Sequence, residues 1–206
     1  MAARVEYLED DPDHERFMSN WNARLNADPK FAGAIHGPKR FPHNWAWDAG
    51  TFCHKVFAMT SEAAIRGTSW LIYLDADVET TTPVTMDWLK QILADETDIV
   101  HLGRRDMRSS DTAFLAFRVN QHGYMPARSF LKALRFLYTS GDIFEWAEWT
   151  DGHLVERLCT IWEGQGAKVK NLSVGIPGLD VFEKTVLGER LSHHKGPRGK
   201  AELMAR

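Results

Sequence analysis

Residues 70–78 read Trp-Leu-Ile-Tyr-Leu-Asp-Ala-Asp-Val, an apolar run that ends in two carboxylates, Asp75 and Asp77. Continuous apolar runs of this kind are typical of strands that are buried on both faces of a parallel sheet. In open α/β sheets, ligands bind outside the carboxyl ends of the strands. The sequence therefore predicts that both aspartates lie at a ligand-binding edge, where their hard oxygen atoms suit Mg²⁺ or Mn²⁺.

A second Asp-x-Asp, at residues 11–13, has the same spacing but different surroundings. It lies in a polar segment interrupted by Pro12, where a solvated turn that leads into a helix cap explains it. The contrast in context indicates that the pair after the apolar run is the functional one.

Length and composition predict one ordinary domain over residues 1–206 with a sizeable core, because 44% of the residues are apolar. The formal net charge of −3 argues against a protein that coats nucleic acid, although residues 191–206 form a basic tail. Cys53 and Cys159 are too few for a disulfide framework or a zinc site, so we expect two buried thiols.

The chain has no apolar segment of about 18 residues, the length that a membrane span needs. Its N-terminal residues also lack the apolar core of a secretory signal. We therefore expect a soluble, cytoplasmic protein without a membrane span.

Hydrophobic spacing along the chain alternates between helical and strand-like segments, which predicts an α/β fold. The expected architecture is a single layered domain with a mostly parallel central sheet and helices on both faces. Residues 27–47 are punctuated by proline and glycine and are expected to form a long loop. The predicted helices are 14–26, 48–66, 85–94, 126–141 and 151–162, and the predicted strands are 5–8, 70–74, 99–102, 112–119 and 169–174.

The C-terminal tail holds a second group of side chains that can bind a metal ion or phosphate. It combines His193 and His194 with Lys195, Lys200 and several glycines. A neutral imidazole completes the coordination of a Mn²⁺ ion that carboxylates already hold, and the lysines neutralise a departing diphosphate. The alternative is a solvated basic tail without a ligand.

The apolar strand, the Asp-x-Asp and the tail pattern His-x-x-Gly-x-x-x-Lys together resemble nucleotide-sugar-dependent glycosyltransferases of the A-type fold. That resemblance implies that Asp77 and His193 hold the metal, with His194 as the near alternative. It implies that Asp75 contributes to binding of the metal and of the donor ribose. The implied donor is a nucleotide-diphosphate sugar, with UDP favoured as the nucleotide.

Other segments resemble further parts of the same family. The helix that contains Lys55 resembles the element that lends a cation to the nucleotide, although a surface lysine explains it equally well. Residues 110–114 resemble the acceptor-side strand, which makes Asp111 a candidate catalytic residue. Asp151 resembles the acidic residue that begins a later helix and is the candidate base, with plain helix capping as the alternative.

The chain also departs from the family pattern. Those enzymes begin with a strand and loop that hold the nucleobase, whereas residues 4–10 here resemble the second strand. The first strand is therefore expected to be missing, and either the 27–47 loop builds the base pocket or the chain is truncated.

The acceptor and the function class remain open at this stage. Small viral enzymes of this general type modify hydroxymethylated pyrimidines in DNA, and bacterial ones act on saccharides. The basic residues 104–108 and the tryptophans Trp146 and Trp149 would suit a DNA acceptor. The alternatives are an aspartate-nucleophile phosphatase, which normally has Thr or Ser where Glu79 stands, and a non-catalytic nucleotide or nucleic-acid binding module.

Overall fold

The structure is a computed structural model that describes residues 8–27, 47–61, 69–104, 108–119, 125–178 and 180–194. The described residues fall into two compact units, the first from Met1–Arg66 and Ser129–Leu154 and the second from Gly67–Arg128 and Val155–Arg206. The predicted α/β class is confirmed, since helices accompany a mixed sheet. The prediction of a single domain stays a prediction.

In chain order the elements are α1 (Pro12–Ala27), α2 (Ala49–Thr60), β1 (Trp70–Leu74), β2 (Val78–Thr80), α3 (Met86–Ile92), β3 (Ile99–Arg104), β4 (Ser109–Arg118), α4 (Pro126–Ser140), α5 (Asp151–Gly164), β5 (Val169–Asn171) and β6 (Leu191–His193). No helix within the described ranges is long and apolar enough to cross a membrane.

The helix predictions are confirmed apart from their ends. Asp48 caps α2 as expected, because its carboxylate accepts a hydrogen bond from the Thr51 N–H. The predicted helix continued to residue 66, but α2 ends at Thr60 and Ser61 is extended, and residues 62–66 lie outside the described residues. The Thr60 hydroxyl donates to the Val56 carbonyl, the kind of back-bonding that weakens a helix.

The predicted strand over residues 5–8 is wrong at its last residue. Leu8 belongs to the 3-10 helix Leu8–Asp10, and residues 5–7 lie outside the described ranges. Two short strands that the hydrophobic pattern did not predict, β2 and β6, pair with each other as an antiparallel ribbon.

The four-stranded sheet of the second unit has the order β1-β4-β3-β5. The mostly parallel arrangement predicted from the sequence is wrong for this sheet, because β1 and β3 both run antiparallel to β4 and only β3 and β5 are parallel. Parallel neighbours need a crossover of about a dozen residues. Only residues 105–108 separate β3 from β4, which is a hairpin length.

The strand that precedes the aspartates is also less buried than expected. β1 stands at one end of the strand order, its residues are half-buried, and Leu74 is 41% exposed. The strands buried on both faces are β3 and β4. β1 is apolar because Trp70 and Ile72 pack against the core from its edge.

The core of the second unit lies on one face of this sheet. Side chains from α3, β3, β4 and the C-terminal turns meet there: Trp88, Ile92, Val100, Leu102, Phe114, Ala116, Phe182, Leu187 and Leu191. On the opposite face, α5 approaches Gly103 so closely that an added Cβ atom would lie 3.0 Å from Oε2 of Glu156. The sheet therefore has helical cover on both faces at these points.

Candidate metal centre

The Asp-x-Asp pair lies in the turn that leads from β1 to β2. The backbone N–H of Asp75 donates to the Ala113 carbonyl, and the Val78 N–H donates back to the Asp75 carbonyl, each at 3.0 Å. These two bonds extend the β1–β4 pairing by one residue and then close the turn. Both aspartates are consequently held at the end of a strand, as the sequence predicted, although that strand is at the edge of the sheet.

The β2–β6 ribbon brings the C-terminal histidine to the aspartates. Val78 pairs with His193, and the His194 N–H donates to the Asp77 carbonyl at 3.0 Å. Nε2 of His193 lies 3.2 Å from Oδ1 of Asp77. One ligand atom each from Asp75, Asp77 and His193 lie within 4.8 Å of one another. The three predicted metal ligands are thus brought together.

His193 is held by contacts with Phe182 and Glu183. Its backbone N–H donates to Oε1 of Glu183 at 2.6 Å, and its ring lies 5.4 Å from the ring of Phe182. The side chain is only 5% exposed. Its Nδ1 atom is buried and has no hydrogen-bond partner among the described residues.

The two adjacent histidines that the sequence left as alternative metal ligands have different partners in the structure. His194 points its Nε2 atom at Oε2 of Glu79, 3.0 Å away. Glu79 is the residue that stands where a phosphatase of the aspartate-nucleophile type has Thr or Ser. His193, and not His194, therefore accompanies Asp77.

Asp75 has a neighbour that orients it. The Tyr73 hydroxyl donates to Oδ1 of Asp75 at 3.0 Å. This bond orients the carboxylate, as hydrogen bonds to metal-ligating carboxylates commonly do. Two carboxylates with one imidazole form a donor set that suits Mn²⁺ or Mg²⁺, because hard oxygen ligands dominate it.

Lys55 and Asp151 were predicted to have separate roles, but the first unit pairs them. Lys55 Nζ lies 2.9 Å from Oδ2 of Asp151, and their side chains are 16% and 3% exposed. Two residues share the capping of α5. The Thr150 hydroxyl accepts a hydrogen bond from the His153 N–H, and Asp151, the first residue of α5, accepts one from the Gly152 N–H at 2.8 Å through Oδ1.

Asp111 lies on β4, two residues before Ala113, in the part of the strand that runs past the end of β1. It is 3% exposed, and its Oδ1 atom accepts a hydrogen bond from the Ala113 N–H at 3.2 Å. The second unit therefore places a buried carboxylate on the strand next to the Asp-x-Asp turn.

The remaining predictions concern the tail lysines, the 27–47 loop and a tryptophan expected to stack on the acceptor. Lys195, Lys200 and residues 28–46 of the predicted loop lie outside the described residues. Trp149 is unsuited to stacking on an acceptor, because it is 2% exposed and packs against Trp21, Trp47 and Phe144.

The sequence reading missed a buried polar network in the second unit. The Ser110 hydroxyl donates to Oε2 of Glu156 at 2.8 Å and lies 3.0 Å from Nδ1 of His101. Asn171 hydrogen-bonds to both backbone groups of Gly103 next to it. The sequence did contain one signal of this network, because His101 is a polar residue within the mostly apolar strand β3.

Comparisons of the chain with protein-family models, with curated proteins and with solved structures found no match.

Proposed function

We propose that this protein is a metal-dependent glycosyltransferase that moves a sugar from a nucleotide-diphosphate sugar, with UDP favoured, to an acceptor hydroxyl. The observation that carries the proposal is the convergence of Asp75, Asp77 and His193. The motif that suggested the family has its parts far apart in the chain, and the β2–β6 ribbon joins them. The A-type fold is part of the same proposal.

In this proposal Asp77 and His193 hold Mn²⁺ or Mg²⁺, and Asp75, oriented by Tyr73, completes the protein ligands. The bound ion would neutralise the negative charge that develops on the departing diphosphate. Glu183 keeps the His193 ring in place through the backbone of its strand. The lysines of the tail, Lys195 and Lys200, add positive charge for the phosphates.

The base that receives the proton of the acceptor hydroxyl is assigned to Asp111. It lies in the same unit as the metal ligands, on the strand that passes the Asp-x-Asp turn. Asp151, the other candidate, has its carboxylate engaged by Lys55. A carboxylate receives the proton as the hydroxyl oxygen attacks the anomeric carbon, which is the inverting course. A saccharide and a hydroxymethylated base in viral DNA are the two acceptors proposed.

The test is nucleotide release from a panel of nucleotide sugars, with Mn²⁺ or with EDTA, in the presence of each acceptor class. Asp77→Asn is expected to lower metal-dependent release at least about 100-fold, since it removes a direct ligand. Asp87→Asn is the matched control, because that carboxylate on α3 is 92% exposed. Equal release by the Asp77 variant and the wild type would overturn the proposal.

Two further outcomes would favour the alternatives. Hydrolysis of p-nitrophenyl phosphate that needs no nucleotide and disappears in Asp75→Asn would indicate a phosphatase. Metal-dependent binding of UDP without release from any donor would indicate a binding module of this fold.

A further inference from the structure

A second group of metal-ligating side chains lies in the first unit, apart from the residues of the proposed transferase site. His14 lies in the first turn of α1, and Cys53 and His54 lie on α2. One ligand atom from each of the three lie within 4.8 Å of one another. Two imidazoles and a thiol are a soft donor set, unlike the carboxylates of the second unit.

A fourth soft atom is close to this group. Met18 follows His14 by four residues and therefore lies on the same face of α1. Its thioether sulfur is 3.4 Å from Sγ of Cys53. Nε2 of His14 lies 2.8 Å from Nδ1 of His54. The two helices thus bring two nitrogens and two sulfurs together.

The burial of these residues gives the group a closed side and an open side. Cys53 is fully buried and His14 is 9% exposed, whereas His54 is exposed. Burial raises the pKa of the Cys53 thiol to about 12, with a further contribution from Asp48. Burial and the neighbouring His14 lower the pKa of His54.

We propose that His14, Cys53 and His54 bind a copper ion, with the thioether of Met18 as a weaker fourth ligand. Thiolate and thioether sulfurs select Cu⁺ among the common metal ions, and two His, one Cys and a distant Met are the ligands of copper electron-transfer sites. Zinc rarely takes a thioether, so the methionine is what points to copper.

Binding requires two local changes. The Cys53 thiol gives up its proton as the sulfur–copper bond forms, so one proton is released to solvent for each ion bound. A first-row ion with metal–nitrogen bonds of about 2.0–2.1 Å holds two ligand nitrogens about 3.3 Å apart. The His14–His54 contact therefore opens by about half an ångström, a movement that the exposed His54 ring makes without disturbing the core.

The alternative is that the two imidazoles share a hydrogen bond that ties α1 to α2, while the thiol packs and donates to the Gly50 carbonyl at 3.1 Å. That arrangement predicts no retention of copper. It also predicts that loss of His54 affects stability and nothing else.

The experiment is an anaerobic competition for Cu⁺ between the full-length protein and the chromogenic chelator bicinchoninate. Wild-type protein is expected to withhold one equivalent of Cu⁺. Cys53→Ser and His54→Gln are each expected to lower the affinity at least about tenfold, and Met18→Leu, which conserves volume, by less. His54 is exposed, so its variant keeps the test valid if Cys53→Ser does not fold.

Matched controls separate this site from the rest of the chain. Cys159→Ser removes the other buried thiol, and Asp77→Asn removes a ligand of the carboxylate site. Both variants should withhold copper as the wild type does. Three results would overturn the proposal: full transfer of Cu⁺ from wild-type protein to the chelator, wild-type affinity in His54→Gln, or tighter binding of Zn²⁺ than of Cu⁺.

Discussion

Nζ of Lys55 lies 2.9 Å from Oδ2 of Asp151, and both side chains are largely buried. The family resemblance assigned the lysine to the donor phosphates and the aspartate to the acceptor proton. Either role would require this ion pair to break and leave a charge in a region of low dielectric constant. The pairing is therefore interpreted as a structural link, within the first unit, between α2 and the first residue of α5.

Asp151→Asn should lower the free energy of unfolding by about 3–5 kcal/mol, because it removes the negative charge from a largely buried ion pair. Urea denaturation measures the change, with the exposed Asp142→Asn as the control. The double variant Lys55→Met with Asp151→Asn should recover part of the loss. An unchanged free energy in Asp151→Asn would show that the pair contributes nothing in solution.

Arg135 should stabilise the first unit in a pH-dependent way. Burial opposes ionisation of Asp11, but the hydrogen bond and charge of Arg135, together with the N–H groups of His14 and Asp13, outweigh it, so the pKa of Asp11 is lowered. A lowered carboxyl pKa stabilises the fold above the unfolded value of about 4 and loses this effect as the pH falls through the folded value.

Arg135→Gln should therefore cost about 1 kcal/mol at pH 7, the upper end for a partly exposed pair. The difference from wild type should shrink below about pH 4, where Asp11 becomes protonated in the variant. Denaturation at several pH values tests this. Arg16→Gln is the control, because both Arg135 and Arg16 pair with Asp13, and the Arg16 side chain is 60% exposed. A difference that persists unchanged at pH 2 would refute the charge-based explanation.

Gly103→Ala should destabilise the second unit by about 1–3 kcal/mol through overpacking. An added Cβ would lie 2.6 Å from Nδ2 of Asn171 and 2.7 Å from Cε1 of His101. Gly164→Ala is the matched control, since nothing lies within 4 Å of its added Cβ and alanine favours the helix. The thermal midpoint should fall in the first variant and stay or rise in the second.

Glu183→Ala should weaken Mn²⁺ binding about tenfold without contributing a ligand itself, because Glu183 positions His193. Glu183→Gln keeps an acceptor oxygen and should restore most of the affinity. Calorimetric titration with Mn²⁺ measures both, and thermal unfolding in EDTA checks that the fold is intact. Equal weakening in the exposed Glu189→Ala would show that general charge, rather than positioning, is responsible.

The sequence predicted the long elements well because their signals are local. The helical spacing of apolar residues identified α1, α4 and α5, and Asp48 marked the start of α2. Strand partners are not local, so the apolar run over 70–74 was taken as a buried strand when it lies at an edge.

The candidate site also combines features that the sequence revealed with features that it did not. The Asp-x-Asp was visible in the sequence, but β2 and β6 are three residues long and contain no apolar alternation that would reveal them. The choice of His193 over His194 depends on the register of that ribbon, which only the pairing fixes. The Lys55–Asp151 pair joins two helices whose contact no spacing rule predicts.

The ribbon between β2 and β6 also has a consequence during synthesis. Asp75 and Asp77 leave the ribosome long before His193, and at about 5–20 residues per second the delay is roughly ten seconds. During that interval the nascent chain holds two carboxylates without their imidazole. In the proposed metal-binding role, capture of the ion would be a late event in the making of this protein, coinciding with the arrival of the strand that brings His193 to the two aspartates.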